Sequence, residues 1–311
     1  NLDLYARWAH EALPEWLALE RRTGERLFVR TGALFVGSNR AWLTETEATL
    51  RTLGIPTERI DGARMRTRFP QLAFGEGEAI YEPEAGVIYA RRAVQSLVRT
   101  LVADGVTLIR ERVDASSLIA SSRADAIVFA AGPWLPSLFP DVLRDAILPT
   151  RQDVFFFGPP PGDDRFSPER FPAWVAFDEG VYGVPDLENR GVKVAFDAHG
   201  PEADPERMMR AVDDDAVRRM REVLRRHLPA LADAPLLESR VCQYENTTNG
   251  HFLIDRLPDH DRVWIAGGGS GHGFKHGPTV GRYVADLIEW RIDPEPAFVL
   301  GGRPPRQRAV Y

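Results

Sequence analysis

Val263-Trp-Ile-Ala266, running straight into Gly267-Gly-Gly-Ser-Gly-His-Gly-Phe-Lys275, is the stretch on which the fold turns. Four apolar residues in a row read as a short strand buried on both faces. Five glycines then fall among the seven residues 267–273, and a helix is expected from about 277 to 290. In a strand, glycine loop and helix layout, backbone N–H groups and a helix N-terminus can meet an anion or an electron-rich ring edge. Glycine lets the main chain approach such a ligand closely. Gly269, Ser270, Gly271, His272, Gly273 and Phe274 are therefore candidate ligand contacts. The spacing G-x-G-x-x-G occurs nowhere in these residues, so the loop is not a dinucleotide phosphate fingerprint. His272 and His276 stand four apart, but with no H-E-x-x-H glutamate and no third ligand they read as loop and helix-start histidines.

Working outward, Ala126-Ile-Val-Phe-Ala-Ala131, closed by Gly132, reads as a second strand of a parallel sheet buried on both faces. The opening residues Leu4, Tyr5, Trp8, Ala9, Ala12, Leu13, Trp16 and Leu17 repeat at helical spacing. The chain thus opens inside or just before a helix, as a fragment would. Residues 27–36 read as two short strands around a turn, 43–53 as a helix, 93–103 as an amphipathic helix ended by Gly105, and 106–109 as a strand. Residues 148–157 and 173–198 look like antiparallel strands, 205–228 like a long helix, and the Pro/Arg-rich tail after Pro294 looks loose. The expected fold class is mixed α/β, with two interleaved units. One comprises 1–22, 86–142 and 249–292 around the buried strands; the other comprises 23–85 and 143–248 and is richer in antiparallel strands. Residues 293–311 form the tail.

Composition narrows the functions. The 311 residues carry a formal charge of −6 with 27% charged residues. No basic stripe invites nucleic acid, and no apolar run is long enough to cross a bilayer. Cys242 is the only cysteine, so there is no internal disulfide, which suits a reducing, cytoplasmic setting. Of 39 basic residues only Lys193 and Lys275 are lysines. A chain so biased toward arginine keeps lysine where a compact ammonium or a tunable pKa is needed.

The run Val241-Cys-Gln-Tyr-Glu-Asn-Thr-Thr-Asn-Gly-His-Phe-Leu-Ile-Asp255, with Ser270-Gly-His-Gly-Phe-Lys275, closely resembles the C-terminal region of the monomeric sarcosine oxidase and N-methyltryptophan oxidase family, D-amino-acid-oxidase-like flavoproteins. The likeness extends to Arg30-Thr-Gly-Ala-Leu34, Glu82-Pro-Glu-Ala-Gly86, the Ala-Ala-Gly-Pro-Trp134 strand end, Tyr182-Gly-Val-Pro185 and Gly191-Val-Lys-Val194. It implies an FAD-binding Rossmann-like domain interleaved with an antiparallel-sheet substrate domain, in a monomer acting on a small amine and O2. It implies FAD held covalently through Cys242, with Gly132, Trp134, the 269–274 loop and, at the adenine, Val113 around the cofactor. Lys275 corresponds to a lysine that helps bind the substrate carboxylate, and Lys193 to one near the flavin N5 edge implicated in oxygen activation. Tyr182 and Tyr244 line the substrate pocket in this reading.

Two departures stand out. The family begins with a βαβ unit of roughly 30 or more residues bearing G-x-G-x-x-G and an acidic ribose ligand, followed by an arginine that pairs with the substrate carboxylate. None of these is present, and the chain is expected to be an incomplete version of a flavoenzyme. Asp197 stands where the family has a pocket histidine, which points to an amine with a second cationic or hydrogen-bonding group. The expected reaction is oxidation of a C–N bond to an imine with O2 reduced to H2O2; the alternatives are a dehydrogenase of the same fold and a flavin-free scaffold.

Overall fold

The computed structural model describes residues 2–303 and is a mixed α/β fold built on three sheets. The largest has eight strands in the order β11-β7-β10-β9-β8-β2-β4-β3. These are β2 (Ala33–Gly37), β3 (Glu58–Ile60), β4 (Glu78–Glu82), β7 (Ile147–Phe157), β8 (Ala173–Ala176), β9 (Val181–Val184), β10 (Val192–Phe196) and β11 (Leu236–Thr247). Every pairing in it is antiparallel except β2 with β8. A second sheet pairs β1 (Phe28–Arg30) with β5 (Gly86–Ile88). The third runs β12 (Leu253–Arg256), β13 (Val263–Gly267), β6 (Ile127–Phe129), with β13 and β6 parallel. The turn expected within 27–36 exists, but the strands on either side of it part company: β1 joins β5 while β2 enters the large sheet.

The middle of the large sheet has one apolar face. Phe155 and Phe157 of β7 and Val192 and Val194 of β10 lie in a core with Trp174, Leu34 and Tyr81. Helix α8 (Asp214–His227) covers that face with Ala216, Met220, Val223 and Leu224, a helical repeat of buried positions. The helix begins at 214 rather than 205. Asp213 caps it by accepting a hydrogen bond from Ala216 N at 2.7 Å, and Asp214 and Asp215 favour the positive end of the helix dipole. The residues before it turn locally about Asp204 O.

The small sheet packs Ile127, Phe129, Val263, Ile265 and Leu253 against the short helices α6 (Leu135–Leu138) and α7 (Pro140–Leu143), with α5 (Ala115–Ser121) alongside. Its other side meets α1 (Leu2–Thr23) and α9 (Gly277–Ile288) through Leu4, Trp8, Phe252, Trp264 and Leu287. The remaining helices are α2 (Arg40–Thr52), α3 (Gly62–Arg68) and α4 (Ala90–Ala103).

Three expectations need correction. Residues 106–109 form no strand, and Leu108 and Ile109 are 63% and 68% exposed. A parallel strand needs a neighbour to take its backbone groups, and among the described residues the sheet stops at β6. For the same reason β6 is not buried on both faces: Val128 is 40% exposed. Val94, Leu97, Leu101 and Val102 on α4 are likewise exposed. The tail is not loose as far as Arg303. Phe298 is fully buried in the α1 aromatic cluster, and its carbonyl accepts from Ile254 N of β12 at 3.0 Å. Arg303 donates to Asn249 Oδ1 and to the carbonyls of Phe252, Phe298 and Val299. The rest of the tail, 304–311, lies outside the described residues.

Candidate active site

Strand side chains alternate between faces, and directly paired residues share a face. Cys242 pairs with Gln152 and Tyr244 with Thr150 across β11 and β7. Lys193 pairs with Phe156 and Ala195 with Val154 across β10 and β7, and Ala195 pairs with Tyr182 across β10 and β9. Cys242, Tyr244, Lys193 and Tyr182 therefore stand on the face opposite the apolar core, on a floor of Val154, Phe156 and Ala195. Asp197, just past β10, joins them: Tyr244 Oη donates to its Oδ1 at 3.1 Å. The Lys193 ammonium lies 4.8 Å from the Tyr182 ring centroid.

The glycine loop closes over this face. Gly268 and Gly271 sit at φ +73° and +83°, where a side chain is strained, and Ser270 adopts φ +43°. A Cβ at Gly271 would fall 2.5 Å from the Tyr244 ring, so only glycine lets the backbone rest on that tyrosine. Ser270 is buried; its Oγ accepts from Thr247 N at 3.2 Å and donates to Gly268 O at 3.1 Å, tying the loop to the end of β11. Helix α1 braces the other end. Trp16 Nε1 donates to Lys275 O at 2.9 Å, and its ring stacks on Phe274 at 5.5 Å. Lys275 Nζ donates to His272 O at 3.1 Å.

The electrostatics follow from crowding. The Lys275 side chain is reachable from solvent yet ringed by protein. Loss of hydration pushes its pKa down to about 8, with Asp197 pulling the other way. Burial raises Asp197, opposed by the Tyr244 hydrogen bond, Lys275, His199 and Lys193. Tyr244 is raised by burial, then by Tyr182 and Asp197, and stays a neutral donor. Burial lowers His272 to about 4, so its imidazole is neutral, with Nε2 donating to Gly250 O at 3.1 Å. Among the described residues no cluster of His, Cys, Asp or Glu is arranged to hold a metal ion.

Not every candidate joins the cluster. Gly132 and Trp134 form a tight turn at the end of β6, next to β7 and β11, where Trp134 Nε1 donates to Glu206 Oε1 at 2.7 Å. Val113 lies apart on the exposed stretch before α5; its neighbour Arg112 pairs with Glu206 at 3.8 Å. Sequence reasoning missed Glu245. Its Oε1 accepts from Gly269 N at 3.2 Å, while Oε2 is sealed from water without a partner, 2.9 Å from where a Cβ of Gly267 would lie. A carboxyl beneath a glycine loop carries no motif; only its place next to Tyr244 on β11 hints at it.

These features suit the flavin end of FAD. The loop backbone is bare of side chains, Gly132 faces open space at φ +56°, an exposed thiol stands on the same face, and a buried carboxyl oxygen is left unpaired. The chain belongs to the FAD dependent oxidoreductase family, which matches residues 2–287. It is similar to the monomeric sarcosine oxidase of Streptomyces avermitilis, with 33% identity over 290 residues covering 86% of this chain and 74% of that protein. It is also similar to the peroxisomal sarcosine oxidase of Mus musculus, with 31% identity covering 92% of this chain and 78% of that protein. In fold it matches iminodiacetate oxidase from a Chelativorans species, with a TM-score of 0.75 at 20% identity, covering 98% of this chain and 85% of that one.

Burial raises the Glu245 pKa against the pull of the Gly269 and Gly268 N–H groups. A carboxyl raised in the folded state stabilises the fold fully below its unfolded value of about 4.3, and that contribution is lost as pH rises through the raised value. Glu245→Gln keeps an acceptor for Gly269 and cannot ionise. Its unfolding free energy in urea is expected to fall less between pH 5 and pH 8 than the parent's. Glu82, raised to about 7 by burial and by Glu84, titrates in both proteins and cancels. An identical pH profile for the two proteins would remove the assignment.

Proposed function

We propose that the protein oxidises the C–N bond of a secondary amine or N-methyl amino acid, R–CH2–NH–R′ + O2 giving R–CH=N–R′ + H2O2, the imine then hydrolysing. The observation that carries this reading is convergence: Lys193, the only cysteine, Tyr182, Tyr244 and Asp197 gather on one sheet face, and Lys275, the chain's other lysine, ends the glycine loop that covers it. The chemistry that FAD supplies when bound is acceptance of a hydride equivalent from the carbon beside the nitrogen, and passage of the electrons to O2.

The protein's own groups supply position and charge. Lys275 offers an ammonium to a substrate carboxylate, and the loop backbone offers N–H groups to the ring edge. Lys193, fixed over the Tyr182 ring, presents positive charge where negative charge develops on oxygen, the logic of an oxyanion hole. Tyr244 holds Asp197 so that its second oxygen can accept a hydrogen bond from the amine. Among the described residues no further side chain is offered as a general base, which suits a substrate amine that gives up its proton before or on binding. Cys242, an exposed thiol on this face, would hold FAD through a thioether, the S–H and C–H hydrogens passing with two electrons to O2 as H2O2. A thiol reserved for that bond has to stay reduced until then, in keeping with a cytoplasmic monomer.

Three measurements test the reading. Acid-precipitated protein should retain yellow colour in the pellet, and Cys242→Ser should release it to the supernatant; colour in the supernatant of both proteins would rule out the covalent bond. Lys193→Met should slow reoxidation of the reduced protein by O2 by about 100-fold or more, the loss expected for one charge-stabilising donor, while sparing anaerobic reduction by the amine. Equal reoxidation rates would favour a dehydrogenase instead. Acetate, which carries no amine to titrate, should bind well below pH 8 and lose about tenfold in affinity per pH unit above it as Lys275 deprotonates. In Lys275→Met that dependence should vanish; if it persists, another group holds the carboxylate.

A further inference from the structure

Trp16 belongs to helix α1, yet its polar contact falls on the far end of the glycine loop. The indole is 6% exposed and packs with Ala12 of its own helix, Leu27 before β1 and Ala93 of α4. None of those neighbours lies in the loop, so the ring is seated independently of it. A buried indole N–H usually finds an acceptor, and Trp16 Nε1 finds Lys275 O at 2.9 Å. The ring also stacks on Phe274 at 5.5 Å, and a Cβ on Gly277 would lie 3.2 Å from it. One side chain thus bears on the Lys275 carbonyl and on residues to either side of it.

The local backbone explains why that donor matters. Phe274–His276 form a single 3-10 turn before α9. In such a turn a carbonyl accepts from the N–H three residues on, as Phe274 O does from Gly277 N. The next carbonyl, Lys275 O, would look to residue 278, which is Pro278 and has no N–H. Trp16 supplies a donor from 259 residues away. With the backbone held, the Lys275 side chain turns back to donate to His272 O at 3.1 Å, and His272 is itself tied to Gly250 O at 3.1 Å. The titratable groups around the ammonium are Asp197, after β10, and the two histidines His272 and His276. Glu245 and Thr247 tether the loop at Gly269 and Ser270, its other end.

We propose that Trp16 is the positioning residue for carboxylate recognition: by holding the Lys275 backbone from α1, it keeps that ammonium in the crowded place where a substrate carboxylate meets it. The proposal rests on the reading of Lys275 as the carboxylate ligand. Two consequences are coupled. Once the tie is cut, the end of the loop can move outward, and the carboxylate loses a partner set in advance. Water then reaches the ammonium, which relieves the loss of hydration that lowers the Lys275 pKa.

Calorimetric titration of the flavin-loaded, full-length protein with acetate, from about pH 6 to pH 10, tests this in Trp16→Phe. That variant keeps an aromatic ring to stack on Phe274 and deletes only the donor. Below pH 8 it should bind acetate roughly three- to tenfold more weakly than the parent, the loss expected for one hydrogen bond. The pH at which affinity breaks should rise from about 8 toward the usual lysine value of about 10.4. Leu43→Ala empties part of the α2 core, away from the loop. It should lower the unfolding temperature and leave both acetate readings as in the parent. In the parent itself, exchange of the Trp16 indole hydrogen with solvent should slow when acetate saturates the site, because acetate favours the braced state. Parent affinity and parent break in Trp16→Phe, the same shifts in Leu43→Ala, or indole exchange indifferent to acetate would overturn the proposal and leave Lys275 as the ligand. A parent profile with no break that Lys275→Met removes would overturn both.

Discussion

The site depends on the two-residue period of β-strands held in register. Along β7, β9 and β10 one set of alternate residues builds an aromatic and aliphatic core, and the other set, continued on β11, carries Tyr182, Lys193, Cys242 and Tyr244. Slipping β11 by one residue against β7 would turn Cys242 and Tyr244 to the side of Arg151 and Asp153 and bring Gln243 and Glu245 to the site face. The apolar core fixes the facing of β7, the strand against which that register is set. Phe155 and Phe157 cannot turn to the polar side without exposing two fully buried rings, each worth about 1.5–3 kcal/mol of burial. Core packing on one side of the sheet thereby specifies the chemistry on the other.

Strand β11 also links the large sheet to the glycine loop. Its 12 residues run beside the 11 of β7, and its last turns pass under the glycine loop, where Glu245 and Thr247 hold Gly269 and Ser270. The loop is pressed from the other end by α1, whose Trp16 binds Lys275 O and stacks on Phe274. A segment this rich in glycine has much conformational entropy to lose. Bracing it at both ends lets the Gly271 backbone sit on Tyr244 and sets Lys275 beside the face that holds Asp197. The ammonium of Lys275 and the carboxyl of Asp197 then partly offset each other's crowding.

Much of this was legible in the residues, and the failures share a cause. The strand–loop–helix at 263–288, the helical repeat of α1, the scarcity of lysine and the strand at 148–157 are patterns readable along the chain. Residues 106–109 have strand composition but no partner strand among the described residues, so they lie extended and exposed. Residues 205–213 look helical until Asp213 caps a later start. Phe298 looks like part of a loose tail until an aromatic cluster from α1 and the loop after β11 surrounds it. In each case a distant element outweighs local preference.

The sequence by itself determined which residue types were available for chemistry: a single thiol, two ammonium groups and a bare glycine loop, set at the ends of strands by hydrophobic periodicity. Only the tertiary structure decided which of them meet. The Tyr244–Asp197 bond spans 47 residues, and the Trp16 brace spans 259. Hydrophobic period is written along the chain because it depends on neighbours three or four positions away. Hydrogen-bond partnership and burial depend on what the fold brings alongside, and that is fixed by packing across sheets.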